Sequence, residues 1–248
     1  TLWLRRRDDG RIVPHSDLPG VAPEQDLAVR AARALQADSG SELGVDMYLA
    51  KQIPLGGGLG GGSSNAGTVL RALNRIWQLG WPASELARTA QPLGPDVPLF
   101  ALGHSALGEG IGERLTPLEL PQRCFLIANP GVEVPTAAVF QSADLTRNGS
   151  GSTIPSLYAE TEWRNDCEPV VCRLVPEVAR LLAWLRERGS GHLTGTGATA
   201  FAVVPDRAEG LRRLADLPAP WRGWVAPGSD VAPQGVVDCF SVGTSPSW

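Results

Sequence analysis

Lysine is almost absent from this sequence. It occurs once, as Lys51, against 21 arginines, and with 26 acidic residues the formal net charge is −4. That charge argues against a nucleic-acid-binding surface. Long apolar runs are also missing: none approaches the roughly 20 residues that a membrane-spanning helix needs, and no signal peptide is recognisable at the start. We therefore expect a protein that has neither nucleic acid nor a membrane as a partner.

Cysteine and histidine are scarce and poorly spaced for metal binding. The four cysteines show no C-x-x-C spacing, and the three histidines form no H-E-x-x-H motif. Structural zinc sites need such closely spaced ligands. We expect reduced thiols, a cytoplasmic location and no structural zinc.

The chain has enough residues for one large domain or two modest ones. Predicted strands alternate with predicted helices in both halves of the 248 residues, which indicates an α+β fold. Two prolines interrupt the pattern near Leu118 to Gln122, where we expect a domain boundary. We predict one domain over 1–119, a second over 120–234, and a tail over 235–248 that fits neither.

Local patterns predict several elements of the first half. Leu2 and Leu4 alternate with other residues, and Asp8-Asp9-Gly10 then turns the chain, which is typical of a hairpin running through Val13. Apolar residues at helical spacing predict a helix over Glu24 to Ala37, and a strand is expected over Gly44 to Ala50. Ser84 is expected to cap a further helix over Glu85 to Ala90.

A glycine-rich segment follows the predicted strand that ends before Lys51. It reads Pro54-Leu55-Gly56-Gly57-Gly58-Leu59-Gly60-Gly61-Gly62. Glycine reaches backbone angles closed to other residues and lets a ligand approach the main chain, because no Cβ stands in the way. Ordering each glycine costs roughly 0.5–1 kcal/mol relative to alanine. An ordered loop of this composition therefore implies a compensating use.

A predicted amphipathic helix comes directly after the glycines. Ser63, Ser64 and Asn65 are residue types that cap helices. Apolar residues then recur every three or four positions, namely Val69, Leu70, Leu73, Ile76 and Trp77. A glycine loop entering a helix N-terminus offers free N–H groups and the positive end of the helix dipole to an anion. The pattern indicates a phosphate site, and the alternative is a flexible glycine linker.

Three common phosphate loops fit this segment poorly. Gly57 and Gly62 have the Walker A spacing, but Ser63 stands where that motif needs lysine. A G-x-G-x-x-G pattern can be read from Gly56, but no strand-end acid follows about 20 residues later, as the Rossmann motif requires. A protein-kinase loop has no V-A-I-K, H-R-D or D-F-G partner in the sequence.

The segment resembles the P-x-G-x-G-L-G-S-S-A loop of the GHMP kinases, which phosphorylate small molecules. The longer segment from Lys51 to Ala66 resembles the same loop in the branch of this family that acts on 4-diphosphocytidyl-2-C-methyl-D-erythritol. The resemblance implies that ATP is bound here and that Ser63 or Ser64 lies nearest Mg²⁺, with Ser64 chosen as the metal residue. The implied ATP-binding residues are Lys51, Pro54, Gly56, Gly57, Gly58, Leu59, Gly60, Gly61, Gly62, Ser63, Ser64 and Asn65. Taken alone, Lys51 is equally consistent with a solvated lysine at a strand end.

A second motif places an acid between two prolines, in Gly94-Pro95-Asp96-Val97-Pro98. Both proline rings fix their own φ, so the backbone around Asp96 is rigidly directed. From the residues alone, Asp96 is a turn or N-cap residue. The motif also resembles the second signature of the same family, which implies that Asp96 accepts the proton of the attacking hydroxyl.

A third motif, Thr194-Gly195-Thr196-Gly197, reads by itself as an ordinary hairpin turn. The resemblance implies that Gly195, Thr196 and Gly197 face the first glycine loop and help to hold the transferred phosphate. It also implies that Thr136 and Phe140 line the cytidine end of the substrate. A phenylalanine at this point of a helix is, from pattern alone, more typical of a core residue.

The resemblance implies a two-domain GHMP-kinase fold with the nucleotide in the cleft between the domains. The implied reaction is ATP-dependent phosphorylation of the 2-hydroxyl of CDP-methylerythritol, in the non-mevalonate route to isoprenoid precursors. The alternatives are a GHMP kinase for another alcohol and a non-catalytic nucleotide-binding fragment of such a kinase. The family begins with a strand that carries a P-A-K-x-N-L motif, and we expect this sequence to start downstream of that motif. A homodimer is compatible with the resemblance.

Overall fold

The computed structural model describes residues 1–16, 18–54, 56–147 and 154–232. They form two compact units. The N-terminal unit comprises Thr1–Pro54, Gly61–Glu119 and residues 230–232, and the C-terminal unit comprises residues 56–60 and Leu120–Ser229. The glycine loop therefore belongs by its contacts to the C-terminal unit, although both of its flanks belong to the other. The tail expected over 235–248 lies outside the described residues.

The N-terminal unit contains a three-stranded sheet, a helical layer and a hairpin. Its elements are β1 (Leu2–Arg7), β2 (Ile12–Pro14), α1 (Leu27–Ser39), β3 (Gly44–Leu49), α2 (Gly61–Ile76), α3 (Ala83–Ala90), α4 (Val97–Leu102), β4 (Ala106–Glu109) and β5 (Arg114–Pro117). The sheet order is β1-β3-β2, and β4 pairs with β5 in a separate antiparallel hairpin.

The hairpin predicted for the first strands is wrong. Strand β3 lies between β1 and β2, antiparallel to β1 and parallel to β2. The reason is burial: Val45, Met47 and Leu49 of β3 are buried, and β1 and β2 are only half-buried. The strand with the most apolar surface takes the central position, where it is paired on both edges.

A buried carboxylate strengthens this order. Asp46 of β3 is 1% exposed; it accepts hydrogen bonds from Arg5 and Arg7 of β1, and His15, just after β2, lies 2.7 Å from its Oδ1. Burial by itself would raise the pKa of Asp46, but the hydrogen bonds with His15, Arg5 and Arg7 outweigh it and lower the pKa to about 2. A charged Asp46 thus holds groups from both neighbouring strands.

The helices form where apolar periodicity predicts them, with shifted starts. Helix α1 begins at Leu27, and Asp26 caps it by accepting a hydrogen bond from the Ala28 N–H at 2.9 Å. Helix α3 begins at Ala83 after Pro82, so Ser84 lies inside the helix and does not cap it. Proline has no backbone N–H that would need an acceptor at the start of a helix, so Pro82 is a sufficient boundary.

One apolar core joins the helices to the sheet in this unit. Its fully buried large side chains include Leu35, Val45, Val69, Leu70, Leu73 and Val97. The buried face of α2 is thus the stripe that the spacing of its apolar residues predicts. Burial of each such side chain contributes roughly 1.5–3 kcal/mol, so the core holds α2 in place.

The C-terminal unit is an antiparallel sheet covered by helices. Its elements are β6 (Cys124–Asn129), α5 (Thr136–Gln141), α6 (Ile154–Tyr158), α7 (Glu168–Leu174), α8 (Pro176–Arg186), β7 (His192–Leu193), β8 (Ala200–Val204), α9 (Arg207–Ala215) and β9 (Arg222–Pro227). The sheet order is β7-β8-β6-β9.

A second apolar core lies within this unit. It combines Leu126 of β6 with Val139 of α5, Val171 of α7 and Leu181 and Leu182 of α8, all at most 1% exposed. The core fixes the ends of β6 and β8, where the third sequence motif is found. None of the helices in residues 1–147 and 154–232 is both long and apolar enough to cross a membrane.

Candidate functional site

The first glycine loop leads directly into the N-terminus of α2. Gly56, Gly58 and Gly60 have φ angles of +66°, +74° and +60°, in the left-handed region that other residues rarely adopt. Helix α2 begins at Gly61. Its first four N–H groups have no acceptor within the helix and carry the positive end of the helix dipole. The helix start is thus suited to an anion.

The expectation that Ser63, Ser64 and Asn65 cap this helix is wrong. Because α2 already includes Gly61 and Gly62, the three residues lie within its first turns, where they are half-buried. The start is set by packing: a Cβ on Gly61 would lie 3.2 Å from Cγ2 of Ile53. The hydroxyl and amide groups therefore project from the beginning of the helix.

Lys51 lies beside the same helix start. Its side chain is half-buried, and its Nζ would be 2.9 Å from a Cβ placed on Gly61. Burial lowers the pKa of Lys51, and the carboxylate of Asp26 opposes this effect. An ammonium group at the positive end of a helix dipole is unfavourable without a nearby anion. The position of Lys51 is therefore consistent with the proposed phosphate site. It disfavours the alternative that Lys51 is only a solvated lysine at a strand end.

Asp96 occupies the N-cap position of α4 and is exposed. Its side chain makes no capping hydrogen bond. Asp96 thus occupies the N-cap position that the residues alone predict, but its side chain does not make the capping hydrogen bond. Val97 and Pro98, the next two residues, are buried. They hold the backbone of Asp96 in place beside the start of α4.

Helix α4 is held tightly against α2. A Cβ on Gly67 of α2 would lie 2.4 Å from the backbone carbon of Phe100 and 2.6 Å from the nitrogen of Ala101. The two backbones can approach this closely only because residue 67 has no side chain. This contact fixes the helix that begins at Asp96 against the helix that begins at the glycine loop.

The third motif contacts the first loop within the C-terminal unit. The Thr194 hydroxyl donates to the Gly58 carbonyl at 2.9 Å, and the Thr199 N–H donates to the Gly57 carbonyl at 3.2 Å. A Cβ on Gly58 would lie 2.5 Å from the Thr194 carbonyl oxygen and 2.7 Å from that of Gly197. The structure thus brings Gly57, Gly58, Gly195 and Gly197 together. The Gly197 N–H itself donates to the Thr194 carbonyl.

Two asparagines hold this motif, and the sequence did not identify either of them as functional. Buried Asn129, at the end of β6, donates to the Thr199 hydroxyl at 2.9 Å. Asn165 donates to the Leu193 and Gly195 carbonyls at 3.0 and 2.7 Å. Asn165 begins an N-D-x-E element, residues 165–168, at the start of α7. That element was the only signal in the sequence that could have identified Asn165. The carbonyls that Asn165 contacts lie far along the chain.

Two of the residues predicted to bind substrate meet directly. The hydroxyl oxygens of Thr136 and Thr196 are 3.1 Å apart. Phe140, in the helix that Thr136 begins, is 55% exposed, so the pattern-based expectation of a core residue is wrong. Its neighbour Val139 takes the core position. The exposed ring of Phe140 is available to stack on a ligand.

The C-terminal unit also contains an open pocket of about 600 Å³. Its walls include the rings of Trp163, His192 and Phe201, and Asn165 and Leu193 beside the glycine turn. The lining includes none of the residues predicted to bind ATP or substrate. Among the described residues, no group of three or more His, Cys, Asp or Glu side chains could hold a metal ion.

Family models match both halves of the chain. Residues 26–104 match the model described as "GHMP kinases N terminal domain", and residues 149–222 match "GHMP kinases C terminal". The first match contains the glycine loop and Asp96, and the second contains the Thr194–Gly197 turn.

Curated relatives are similar over nearly the whole chain. The 4-diphosphocytidyl-2-C-methyl-D-erythritol kinase of Halorhodospira halophila is 49% identical over 235 residues, which cover 94% of this chain and 81% of the relative. The enzyme of the same name from Cupriavidus necator is 48% identical, with 90% of this chain and 78% of the relative covered.

Solved structures agree with these relatives. A crystal structure of 4-(cytidine 5'-diphospho)-2C-methyl-D-erythritol kinase has a TM-score of 0.76 at 33% identity, covering 91% of this chain and 84% of that one. Homoserine kinase from Cytophaga hutchinsonii has a TM-score of 0.73 at 17% identity, with 93% and 85% covered, which shows a shared fold. The predicted α+β GHMP-kinase fold is thus confirmed.

Proposed function

Because this chain belongs to the 4-diphosphocytidyl-2-C-methyl-D-erythritol kinases within the GHMP kinase family, we propose that it transfers a phosphoryl group from ATP to the 2-hydroxyl of CDP-methylerythritol. The product would feed the non-mevalonate route to isoprenoid precursors. The enzyme would act in the cytoplasm on a free small molecule, as a monomer or homodimer, without nucleic acid or a membrane.

The arrangement of the start of α2 and Lys51 carries this proposal. The first N–H groups of α2, the positive end of its dipole and the Lys51 ammonium group all present positive charge at the start of α2. We assign the ATP phosphates to this point, with contacts from Lys51 and from residues 56–65. Transfer of a phosphoryl group depends mostly on such positioning and charge stabilisation.

Asp96 is the base in this proposal. A carboxylate that makes no capping bond, on a backbone fixed by Pro95 and buried Pro98, is available to accept a proton. It would take the proton of the 2-hydroxyl as that oxygen attacks the terminal phosphate of ATP. A positioned general base typically contributes about 10²–10⁴-fold in rate.

Magnesium fits the site as a partner of the phosphates. The described residues provide no cage of carboxylates or imidazoles, and Mg²⁺ in kinases is usually held by phosphate oxygens and water with one or two protein oxygens. We propose the half-buried Ser64 hydroxyl in the first turn of α2 as such an oxygen. Bound there, the ion would neutralise phosphate charge.

The C-terminal unit would recognise the rest of the substrate. The Thr136 and Thr196 hydroxyls lie 3.1 Å apart and can bond a polar group together. The exposed ring of Phe140 can stack on the cytosine base. Gly195 and Gly197, in the turn that includes Thr196, would lie along the transferred phosphate.

The test is phosphoryl transfer from Mg-ATP to CDP-methylerythritol by this chain, with CDP and mevalonate as control acceptors. We expect product with CDP-methylerythritol only. Asp96→Asn should lower kcat about 10²–10⁴-fold and leave the ATP dissociation constant unchanged. Asp8→Asn makes the same chemical change at an exposed residue paired with Arg6 and should leave kcat unchanged.

Other results would lead to different conclusions. Unchanged turnover in Asp96→Asn would remove Asp96 as the base. Product with mevalonate instead would assign a different acceptor. ATP binding without product from any acceptor would make the chain a nucleotide-binding module.

A further inference from the structure

The side-chain amide of Asn165 is held in one orientation. Asn165 precedes α7, and its Oδ1 accepts a hydrogen bond from the Cys167 N–H at 2.9 Å. Since a carbonyl oxygen must face that N–H, the amide nitrogen must face the other way. There it donates to the carbonyls of Leu193 and Gly195 at 3.0 and 2.7 Å. Both of its protons are therefore used on the turn that contains the third motif.

These two bonds orient the peptide groups of the turn. In a trans peptide the C=O and N–H groups point in opposite directions. The Leu193 carbonyl points to Asn165, and the N–H of Thr194 points away, to the Thr199 carbonyl at 3.1 Å. The Gly195 carbonyl also points to Asn165, so the N–H of Thr196 must point to the opposite side of the turn.

The other side of the turn is tied to the first glycine loop. There the Thr194 hydroxyl donates to the Gly58 carbonyl, and a Cβ on Gly195 would lie 3.1 Å from that same carbonyl oxygen. The turn is thus held by Asn165 on one side and by the loop on the other. The Leu193 and Gly195 carbonyls point to Asn165, and the Thr194 and Gly197 carbonyl oxygens lie beside Gly58. The Thr196 N–H faces away from Asn165.

We propose that Asn165 is a positioning residue for phosphoryl transfer: it orients the Gly195–Thr196 peptide so that the Thr196 N–H meets the terminal phosphate of ATP. This inference rests on the proposed kinase function. Asn165 itself touches neither ATP nor the acceptor. Its removal should allow the peptide to rotate, and a misdirected N–H should weaken contact with the terminal phosphate while the other ATP contacts remain.

A purely structural role for Asn165 needs a matched control, and Asn74 provides one. Asn74 is also half-buried and also bonds backbone through its amide, donating to the Trp81 carbonyl at 2.9 Å and accepting from the Trp81 N–H at 3.0 Å. It lies in the N-terminal unit, in the last turn of α2. Asn74→Ala should therefore lower thermal stability by an amount similar to that for Asn165→Ala.

The first measurement is steady-state kinetics of Asn165→Ala, Asn165→Asp and Asn74→Ala. For both Asn165 variants we expect kcat to fall about 10²-fold, the size of effect that a misplaced reacting group produces, with the KM for the acceptor unchanged. Asn165→Asp places carboxylate oxygens against two carbonyls and should be at least as impaired as Asn165→Ala. Asn74→Ala should retain the wild-type kcat.

The second measurement is binding of Mg-ATP and Mg-ADP by calorimetry, which needs no acceptor. The ratio of the two dissociation constants reports contacts to the terminal phosphate alone. We expect the wild type and Asn74→Ala to prefer ATP, and both Asn165 variants to lose that preference while binding ADP normally.

The two measurements separate this inference from the proposed function. A wild type that prefers ATP but makes no product would reject the proposed acceptor and still test Asn165 through the binding ratio. A wild type without any preference for ATP over ADP would overturn the inference. So would Asn165 variants that keep the wild-type ratio, or a kcat loss in Asn74→Ala equal to that in Asn165→Ala.

Discussion

Lys51 shows how one residue links burial to ligand binding. Its ammonium group is half-buried next to the first residue of α2, and the nearby acid that affects its pKa is Asp26. Burial favours the neutral amine, and the helix dipole acts in the same direction. A bound phosphate would reverse both effects by supplying negative charge. Binding of ATP should therefore be coupled to protonation of Lys51.

This coupling predicts a pH dependence of ATP affinity. Below its lowered pKa Lys51 is charged and attracts phosphate; as pH rises through that pKa the amine becomes neutral and the attraction is lost. We expect the ATP dissociation constant of the wild type to increase between pH 7 and pH 10, as measured by calorimetry. The increase should begin below the ordinary pKa of lysine, about 10.4.

Two variants serve as controls for this pH dependence. Lys51→Arg stays charged throughout the range and should bind ATP with an affinity that does not change with pH. Lys51→Ala should bind weakly at every pH. If Lys51→Ala kept the wild-type pH dependence, another group would be responsible.

At the scale of elements, the contact between α2 and α4 positions the proposed base. Gly67 of α2 meets the backbone of Phe100 and Ala101, atoms that cannot rotate away as a side chain can. Asp96 is the N-cap residue of α4, so this contact relates the proposed base to α2. It does so entirely within the N-terminal unit.

We predict that Gly67→Ala is destabilising although alanine favours helices. The new Cβ would lie 2.4 Å from the Phe100 backbone carbon, and overpacking of this kind costs about 1–3 kcal/mol. That exceeds the roughly 1 kcal/mol by which alanine improves helix propensity. Thermal unfolding should show a lower Tm for Gly67→Ala.

Gly62→Ala is the matched control on the same helix. Its new Cβ would meet only the end of the Leu27 side chain, at 3.3 Å, which can move aside. We expect the Tm of Gly62→Ala to equal or exceed that of the wild type. An equal loss of Tm in both variants would argue against the proposed contact at Gly67.

At the scale of the whole molecule, the chain builds two separate cores from discontinuous segments. One core contains Leu70 of α2 and the other contains Leu181 of α8, each 0% exposed. Residues 56–60 leave the first unit to join the second, then return at Gly61. The phosphate loop therefore takes its support from the core that also holds the Thr194–Gly197 turn.

Two core variants should distinguish the units by hydrogen exchange. Leu70→Ala and Leu181→Ala should each destabilise their own core by about 2–5 kcal/mol. We expect Leu70→Ala to speed amide exchange mainly in β3 and α1, and Leu181→Ala mainly in β6 and β8. Amide exchange in residues 56–60 should also become faster in Leu181→Ala. Equal acceleration of both units by either variant would mean that the two cores unfold as one.

Much of the site was predictable because its signals are local. The glycines around Gly58 need φ angles that few residues adopt, and the apolar spacing of α2 is a property of one segment. Asp96 could be identified because Pro95 and Pro98 restrict its backbone. The strand expected over Gly44 to Ala50 was observed to end at Leu49, within one residue of its expected place.

The errors came from long-range choices. The predicted hairpin follows from a good turn at Asp8-Asp9-Gly10, but β3, some 30 residues later, provides the better partner for both strands. The exposure of Phe140 depends on whether Val139 or Phe140 faces the core formed with α7 and α8. Neither choice is encoded in the segment itself.

The sequence by itself determined the family, and it predicted a phosphate loop before α2 and a base at the acid between two prolines. Its motifs carry these signals because backbone restriction and apolar periodicity act over a few residues. Only the tertiary structure decided that the loop shares a unit with the Thr194–Gly197 turn and that Asn165 holds this turn. Those facts depend on hydrogen bonds such as that from Thr194 to Gly58, whose partners lie 136 positions apart. Folding alone brings such residues within bonding distance.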